Sequence, residues 1–235
     1  MREVNFVIPD ANMTTNDIIY CLAGIRPLPA TRSETEEAEI TRRHLILDHE
    51  DEGLNGLISI IGGKLTTFRN LAEETVDTIY EKLRKHPPPC HTATTPMWGG
   101  GMKHIGQYIE ENTKKYSAEF RVDEEQVAYL ISIYGSRFWR VLELTKKAPE
   151  LRERICPHNL DIKAQILFSL QNELPRTLAD IYLRRTGIGT SACRGLDCAK
   201  EAARLMGKTL HWRRRRIKQE VENYEREIEL LYGCD

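Results

Sequence analysis

The stretch Ile58-Ser-Ile-Ile-Gly-Gly-Lys-Leu-Thr-Thr-Phe-Arg69 constrains this chain more than any other. A short apolar run of β type breaks at Gly62-Gly63. Beyond Lys64, the apolar positions Leu65, Phe68, Leu71, Ala72, Val76, Ile79 and Leu83 recur every three or four residues. That is the period of a helix with one buried face. A strand that ends in two glycines and turns into a helix brings bare backbone close to whatever lies above it. The start of the helix supplies unpaired N–H groups and partial positive charge, and Lys64 adds a full charge at the same point. Such a junction suits an anionic or electron-rich ligand. It is equally compatible with an ordinary strand–turn–helix in which the glycines serve only the turn.

Around this junction the chain divides. Pro87-Pro-Pro89 stops the helix, and residues 86–102, rich in Pro, Thr and Gly, read as a linker. Residues 1–85 are expected to form a small α/β piece and residues 103–235 an all-helical domain. In the first part, Thr14-Thr-Asn-Asp starts a short helix. Two β-type runs, Ile40–Leu47 and Leu57–Ile61, flank a turn-rich segment and predict an antiparallel hairpin. Arg42 and His44 fall on one face of its first strand. Pro27 biases Arg26 toward an extended conformation, in which its planar fork could grip a carboxylate or phosphate, although taken alone Arg26 reads more readily as a surface arginine before a turn. In the second part, helices are expected over Lys103–Tyr116, Asp123–Tyr134, Ser136–Lys146, Asp161–Leu174, Thr177–Arg185, Leu196–Met206 and Arg213–Leu231. Asp123 with Gln126 suggests a capping box, and Gly135 separates two helices. Trp98, Trp139 and Trp212 read as packing residues. The fold class is α+β, a hairpin plus long helix followed by an α-helical domain.

Charge excludes one class of partner. Lys and Arg total 34 against 35 Asp and Glu, which leaves no polyanion-binding signature, so no nucleic acid is expected. The run Arg213–Arg216 is followed by Glu220, Glu222, Glu225, Glu227 and Glu229, the pattern of a solvated, salt-bridged helix. No stretch approaches the ~18 apolar residues of a membrane span, and six scattered cysteines do not form a disulfide framework. A cytoplasmic protein is expected.

Three pieces in order, Gly24-Ile-Arg-Pro-Leu28, Ile40-Thr-Arg-Arg-His44 and Gly62-Gly-Lys-Leu-Thr-Thr-Phe-Arg69, closely resemble the FAD-dependent glycerol-3-phosphate dehydrogenases and the related α-glycerophosphate oxidases. Tyr129–Arg137 and Glu173–Thr186 resemble the helical C-terminal domain of that family. The Gly-x-Gly-x-x-Gly strand–turn–helix with which the family opens has no counterpart here. By resemblance the chain is expected to be the C-terminal part of a longer enzyme, with FAD held mostly by the N-terminal part.

The resemblance places Gly62, Gly63, Lys64, Leu65 and Thr66 beside the flavin. It places Arg26, Arg42 and Lys64 near the phosphate and hydroxyl of glycerol 3-phosphate, with Arg26 and Lys64 in catalytic positions. The implied reaction oxidises glycerol 3-phosphate to dihydroxyacetone phosphate and passes electrons to a quinone or a redox partner subunit. That acceptor implies peripheral association with the inner face of the cell membrane.

A second constellation lies near the C-terminus. Cys193 and Cys198 are spaced C-x4-C, and this segment resembles the anaerobic, multi-subunit branch of the family, where a similar one is half of a four-cysteine [2Fe–2S] site. The upstream half here is Cys156-Pro-His158, with His where a second Cys is expected. Three thiolates and an imidazole could hold zinc or an iron–sulfur cluster. The competing reading is that Cys193 and Cys198 are ordinary thiols at a helix start. A non-enzymatic alternative for the whole chain follows from the same motif: a helical interaction domain whose cysteine-based metal site docks a partner subunit.

Overall fold

The computed structural model describes residues 1–18, 24–25 and 44–232. Two compact units emerge, one of residues 23–96 and one of residues 1–22 with 97–235.

In the smaller unit, β1 (Leu45–Asp48) pairs antiparallel with β2 (Ile58–Ile61), in the register Leu45 with Ile61 through Asp48 with Ile58. The hairpin expected from the two apolar runs is present; residues 40–43 of its first run lie outside the described residues. The turn is held from within, because His49 Nε2 meets Ser59 Oγ at 2.9 Å and the His49 N–H donates to the Leu57 carbonyl. A 3₁₀ turn, Leu65–Thr67, leads into α2 (Phe68–Lys82). The apolar periodicity that begins at Leu65 therefore spans two helical geometries. Lys82, near the end of α2, donates to Asp48 (2.5 Å) and Glu50 (2.8 Å) and clips the helix to the hairpin.

The larger unit opens with α1 (Arg2–Val7), and the 3₁₀ turn Thr15–Asp17 begins in a capping box between Thr14 and Asp17. Its body consists of α3 (Ile105–Phe120), α4 (Glu124–Tyr134), α5 (Trp139–Lys147), α6 (Lys163–Asn172), α7 (Leu178–Arg184), α8 (Ala199–Leu210) and α9 (Arg214–Tyr232). Each helix predicted in this part of the sequence is present, with ends shifted by a few residues. The β content of this unit, among the described residues, is a single isolated bridge, Arg154 with Ile162.

Two apolar clusters divide the bundle. One joins α3, α4 and α5 around Phe120, Val127, Leu130, Phe138 and Leu142. The other joins α7, α8 and α9 around Ile181, Tyr182, Ile188, Met206 and Tyr224. Helix α6 serves both, with Phe168 and Ala164 in the first cluster and Ile166 in the second.

Two local expectations are corrected. Asp123 is the N-cap of α4, but its side chain makes no capping bond. Gln126 is turned into the core instead, so its amide cannot reach back to close a box. A box of this kind does join Thr177 and Asp180 at the start of α7. Trp98 is 85% exposed and packs little; its ring lies 3.3 Å from the Arg137 guanidinium carbon, a cation–π contact. Gly135 does separate α4 from α5, and for a steric reason. Its φ is +56°, and a Cβ there would stand 2.0 Å from the Gly99 carbonyl oxygen.

Candidate flavin-side junction and a cysteine corner

The strand–glycine–helix junction is built as its composition requires. Gly62 and Gly63 adopt φ of +74° and +97°, the region that residues with a Cβ avoid. This turn folds the chain directly from β2 onto the helical segment. A Cβ on Gly63 would meet His44 Cβ at 3.3 Å, so the glycine also lets the backbone pack closely against that side chain. His44 is buried, and its Nε2 lies 2.6 Å from Glu74 Oε2 on α2. Glu74 Oε1 in turn accepts from Asn70 Nδ2 at 2.6 Å. The contact between His44 and Glu74 ties the strand to the helix directly beneath the turn.

Above that tie the junction is open. Lys64, Leu65 and Thr66 are exposed, Leu65 to 89%. Lys64 has extended backbone and immediately precedes the turn, whose first N–H groups have no acceptor within the helix. Thr67 closes the turn, its N–H and Oγ1 both bonding the Lys64 carbonyl at 3.0 Å. Gly62, Gly63, Lys64, Leu65 and Thr66, grouped by sequence, thus form one accessible surface of backbone donors and one cation. Arg26 and Arg42 lie outside the described residues. His44 and Glu74 were not singled out as a pair by the sequence. The available signal was His44 on the strand face shared with Arg42, and Glu74 one turn after Asn70 on the helix.

The cysteine motif converges only in part. Cys156 Sγ lies 3.3 Å from Cys193 Sγ and 3.9 Å from Asp197 Oδ1. The donor atoms of Cys156, Asp197 and Cys198 all lie within 4.8 Å of one another. Cys193 and His158 do not belong to that convergent group. His158 is largely exposed and faces Asp197 Oδ2 at 3.5 Å. Cys198 already meets the Tyr182 hydroxyl at 3.1 Å and the Gly195 carbonyl at 3.4 Å.

Burial pushes the Cys198 thiol up to about 12 and raises Cys156 as well. Burial would raise Cys193 too, but hydrogen bonds from Ser191 and the Gly195 N–H outweigh it and bring that thiol below its ordinary value. The set Cys156, His158, Cys193 and Cys198 is therefore not assembled around one point, and a tetrahedral centre of three thiolates and one imidazole does not fit this arrangement. Asp197, which the motif did not highlight, stands where an imidazole was expected.

A third group, unforeseen in the sequence, is the buried Asp161. Its Oδ1 accepts from the Tyr129 hydroxyl (3.0 Å) and from Gln165 Nε2 (2.9 Å). Burial raises this carboxyl above its ordinary value, although those hydrogen bonds pull it down.

The glycerol-3-phosphate dehydrogenase of Synechocystis sp. is 43% identical over 188 residues, covering 80% of this chain and 33% of that protein. The aerobic glycerol-3-phosphate dehydrogenase of Bacillus subtilis is 31% identical over 196 residues, covering 80% and 34%. The chain thus spans about one third of the length of these curated relatives. Among solved structures, the glycerol-3-phosphate dehydrogenase of Bacillus halodurans complexed with FAD matches with a TM-score of 0.74 at 27% identity, over 97% of this chain and 43% of that one. The family model for the C-terminal domain of alpha-glycerophosphate oxidase matches residues 90–217, more than half of the 235 residues, and the chain belongs to that family.

Proposed function

We propose that this chain serves as the C-terminal region of an FAD-dependent glycerol-3-phosphate dehydrogenase. In this reading the enzyme oxidises glycerol 3-phosphate to dihydroxyacetone phosphate and delivers the electrons to a quinone or a redox partner. The observation that carries it is the open junction at Gly62-Gly63-Lys64, in a chain that matches an FAD-complexed dehydrogenase over 97% of its length. The exposed N–H groups of Leu65 and Thr66, at the start of a helical segment, suit an electron-rich ring edge or an anion. FAD, when bound, supplies the acceptor for the hydride that leaves C2 of the substrate.

The chain's own residues contribute positioning and charge. Gly62 and Gly63 let the backbone approach without a side chain between. Lys64, joined by Arg26 and Arg42, would bind the phosphate dianion, for which clustered cations are the fitting chemistry. The pair His44–Glu74 holds the strand and helix that carry Lys64 in register. A quinone acceptor would bring such an enzyme to a membrane surface; no helix among the described residues is long and apolar enough to cross one.

The test is Lys64→Met in the enzyme that includes its FAD-binding part. The substitution keeps the apolar stem and removes only the charge. Loss of one charge-assisted contact to the substrate predicts a fall of roughly 30- to 1000-fold in kcat/KM at unchanged flavin content. Turnover within threefold of the parent would remove Lys64 from the site.

A further inference from the structure

Helices α6 and α8 are each preceded by a loop that carries a cysteine, and the two loops meet. On the first, the Asn159 N–H donates to the Cys156 carbonyl and closes a tight turn that points Cys156 inward. On the second, Ser191 and Cys193 lie just before α8, facing the same turn. Asn159 Nδ2 reaches across to both, at 3.3 Å from Ser191 Oγ and 3.5 Å from Cys193 Sγ. The two sulfurs, 37 residues apart in sequence, stand 3.3 Å apart. A disulfide needs about 2.05 Å, so closure asks for about 1.3 Å of movement between loops already stitched together. Access is asymmetric: Cys156 is fully buried, whereas Cys193 is partly exposed.

We propose that Cys156 and Cys193 form a reversible redox pair, with Cys193 as the entry thiol and Cys156 as the resolving one. A low-molecular-weight disulfide is the oxidant. The Cys193 thiolate attacks one of its sulfurs, forming a mixed disulfide and releasing one thiolate. Cys156 gives its proton to water and attacks the Cys193 sulfur, expelling the second thiolate. The protein loses two electrons and two protons, and the oxidant becomes two thiols. Cys198 takes no part, because it is held between the Tyr182 hydroxyl and the Gly195 carbonyl. The bond would lock the loop before α6 to the loop before α8.

The test uses the reduced full chain and glutathione disulfide as the probe. After oxidation, remaining thiols are alkylated under denaturing conditions and the digest is mapped by mass spectrometry. The expected result is a peptide pair linked through Cys156 and Cys193, two hydrogens lighter than the reduced pair, that dithiothreitol separates; Cys198 is recovered alkylated. In Cys156→Ser, the expected product is instead a lasting glutathione adduct on Cys193. Should that variant not fold, the map of the parent chain decides alone. A lasting glutathione adduct on Cys193 in the parent would overturn the proposal. So would a bridge through Cys198, or zinc retained in stoichiometric amount with Cys156 and Cys193 unreactive.

Discussion

Glu220 offers the sharpest test of how the larger unit is held together. It sits in the acidic run of α9, yet it is only 1% exposed. Its Oε1 accepts from the Leu178 N–H at 2.9 Å, the first residue of α7, and its Oε2 lies 2.7 Å from Arg216 Nη2. One carboxylate therefore caps α7 from a residue 42 positions away and pairs with the preceding turn of its own helix. Glu220→Ala leaves a buried N–H without an acceptor, a loss of about 1.5–3 kcal/mol for a bond to a charged group. The ion pair adds only about 0.5–1 kcal/mol, since Arg216 is half exposed and screened by water. The methylenes removed add about 1–1.5 kcal/mol. The sum is about 3–5 kcal/mol. Glu220→Gln keeps the volume and the acceptor, so about 1 kcal/mol is expected.

The assay is urea unfolding followed by tryptophan fluorescence. All three tryptophans lie beyond residue 96, so the signal reports the larger unit alone. An Ala variant within 1 kcal/mol of the parent, or a Gln variant as damaged as the Ala one, would refute the assigned role.

Two further perturbations probe the same bundle. Asp161 has its carboxyl raised by burial, so the folded protein binds this proton more tightly than the unfolded chain. The group's contribution to stability is then greatest below its ordinary value of 3.8 and falls as pH rises through the raised folded value. Asp161→Asn does not titrate, so the stability difference between variant and parent should move in favour of Asn from acid toward neutral pH. Parallel urea titrations across that range check it, and a pH-independent difference would contradict it. Gly135→Ala places a Cβ 2.0 Å from the Gly99 carbonyl at a positive φ, which predicts a loss of about 2–4 kcal/mol. The contact between Trp98 and Arg137 should be lost with it, visible as a change in tryptophan emission; unchanged stability and emission would show that the close approach is dispensable.

Periodicity carried most of the helical architecture into the sequence. The apolar spacing from Leu65 to Leu83 marked α2, and Gly135, Thr177 and the proline run marked boundaries. Gly62-Gly63 was legible as a special turn because only glycine enters that region cheaply. What escaped was tertiary. Gln126 has the spacing of a capping partner, but its position on the inward face of α4 turns it into the core. Glu220 looks like one solvated acid among five, and only the approach of α7 buries it. Asp197 differs from its neighbours in nothing but where the loop before α8 delivers it, close to Cys156. The pairing of His44 with Glu74 depends on how the hairpin lies on α2, a packing angle that no local pattern encodes.

The role proposed for this chain is that of the C-terminal region of a flavin-dependent glycerol-3-phosphate dehydrogenase. The most direct measurement joins it to an N-terminal FAD-binding region of such an enzyme, in one polypeptide, and follows the flavin absorbance under anaerobic conditions as glycerol 3-phosphate is added. Stoichiometric FAD, bleaching of the oxidised flavin band by glycerol 3-phosphate, and dihydroxyacetone phosphate as the product are expected. Full flavin occupancy with no bleaching by glycerol 3-phosphate, in a protein that dithionite still reduces, would contradict that role.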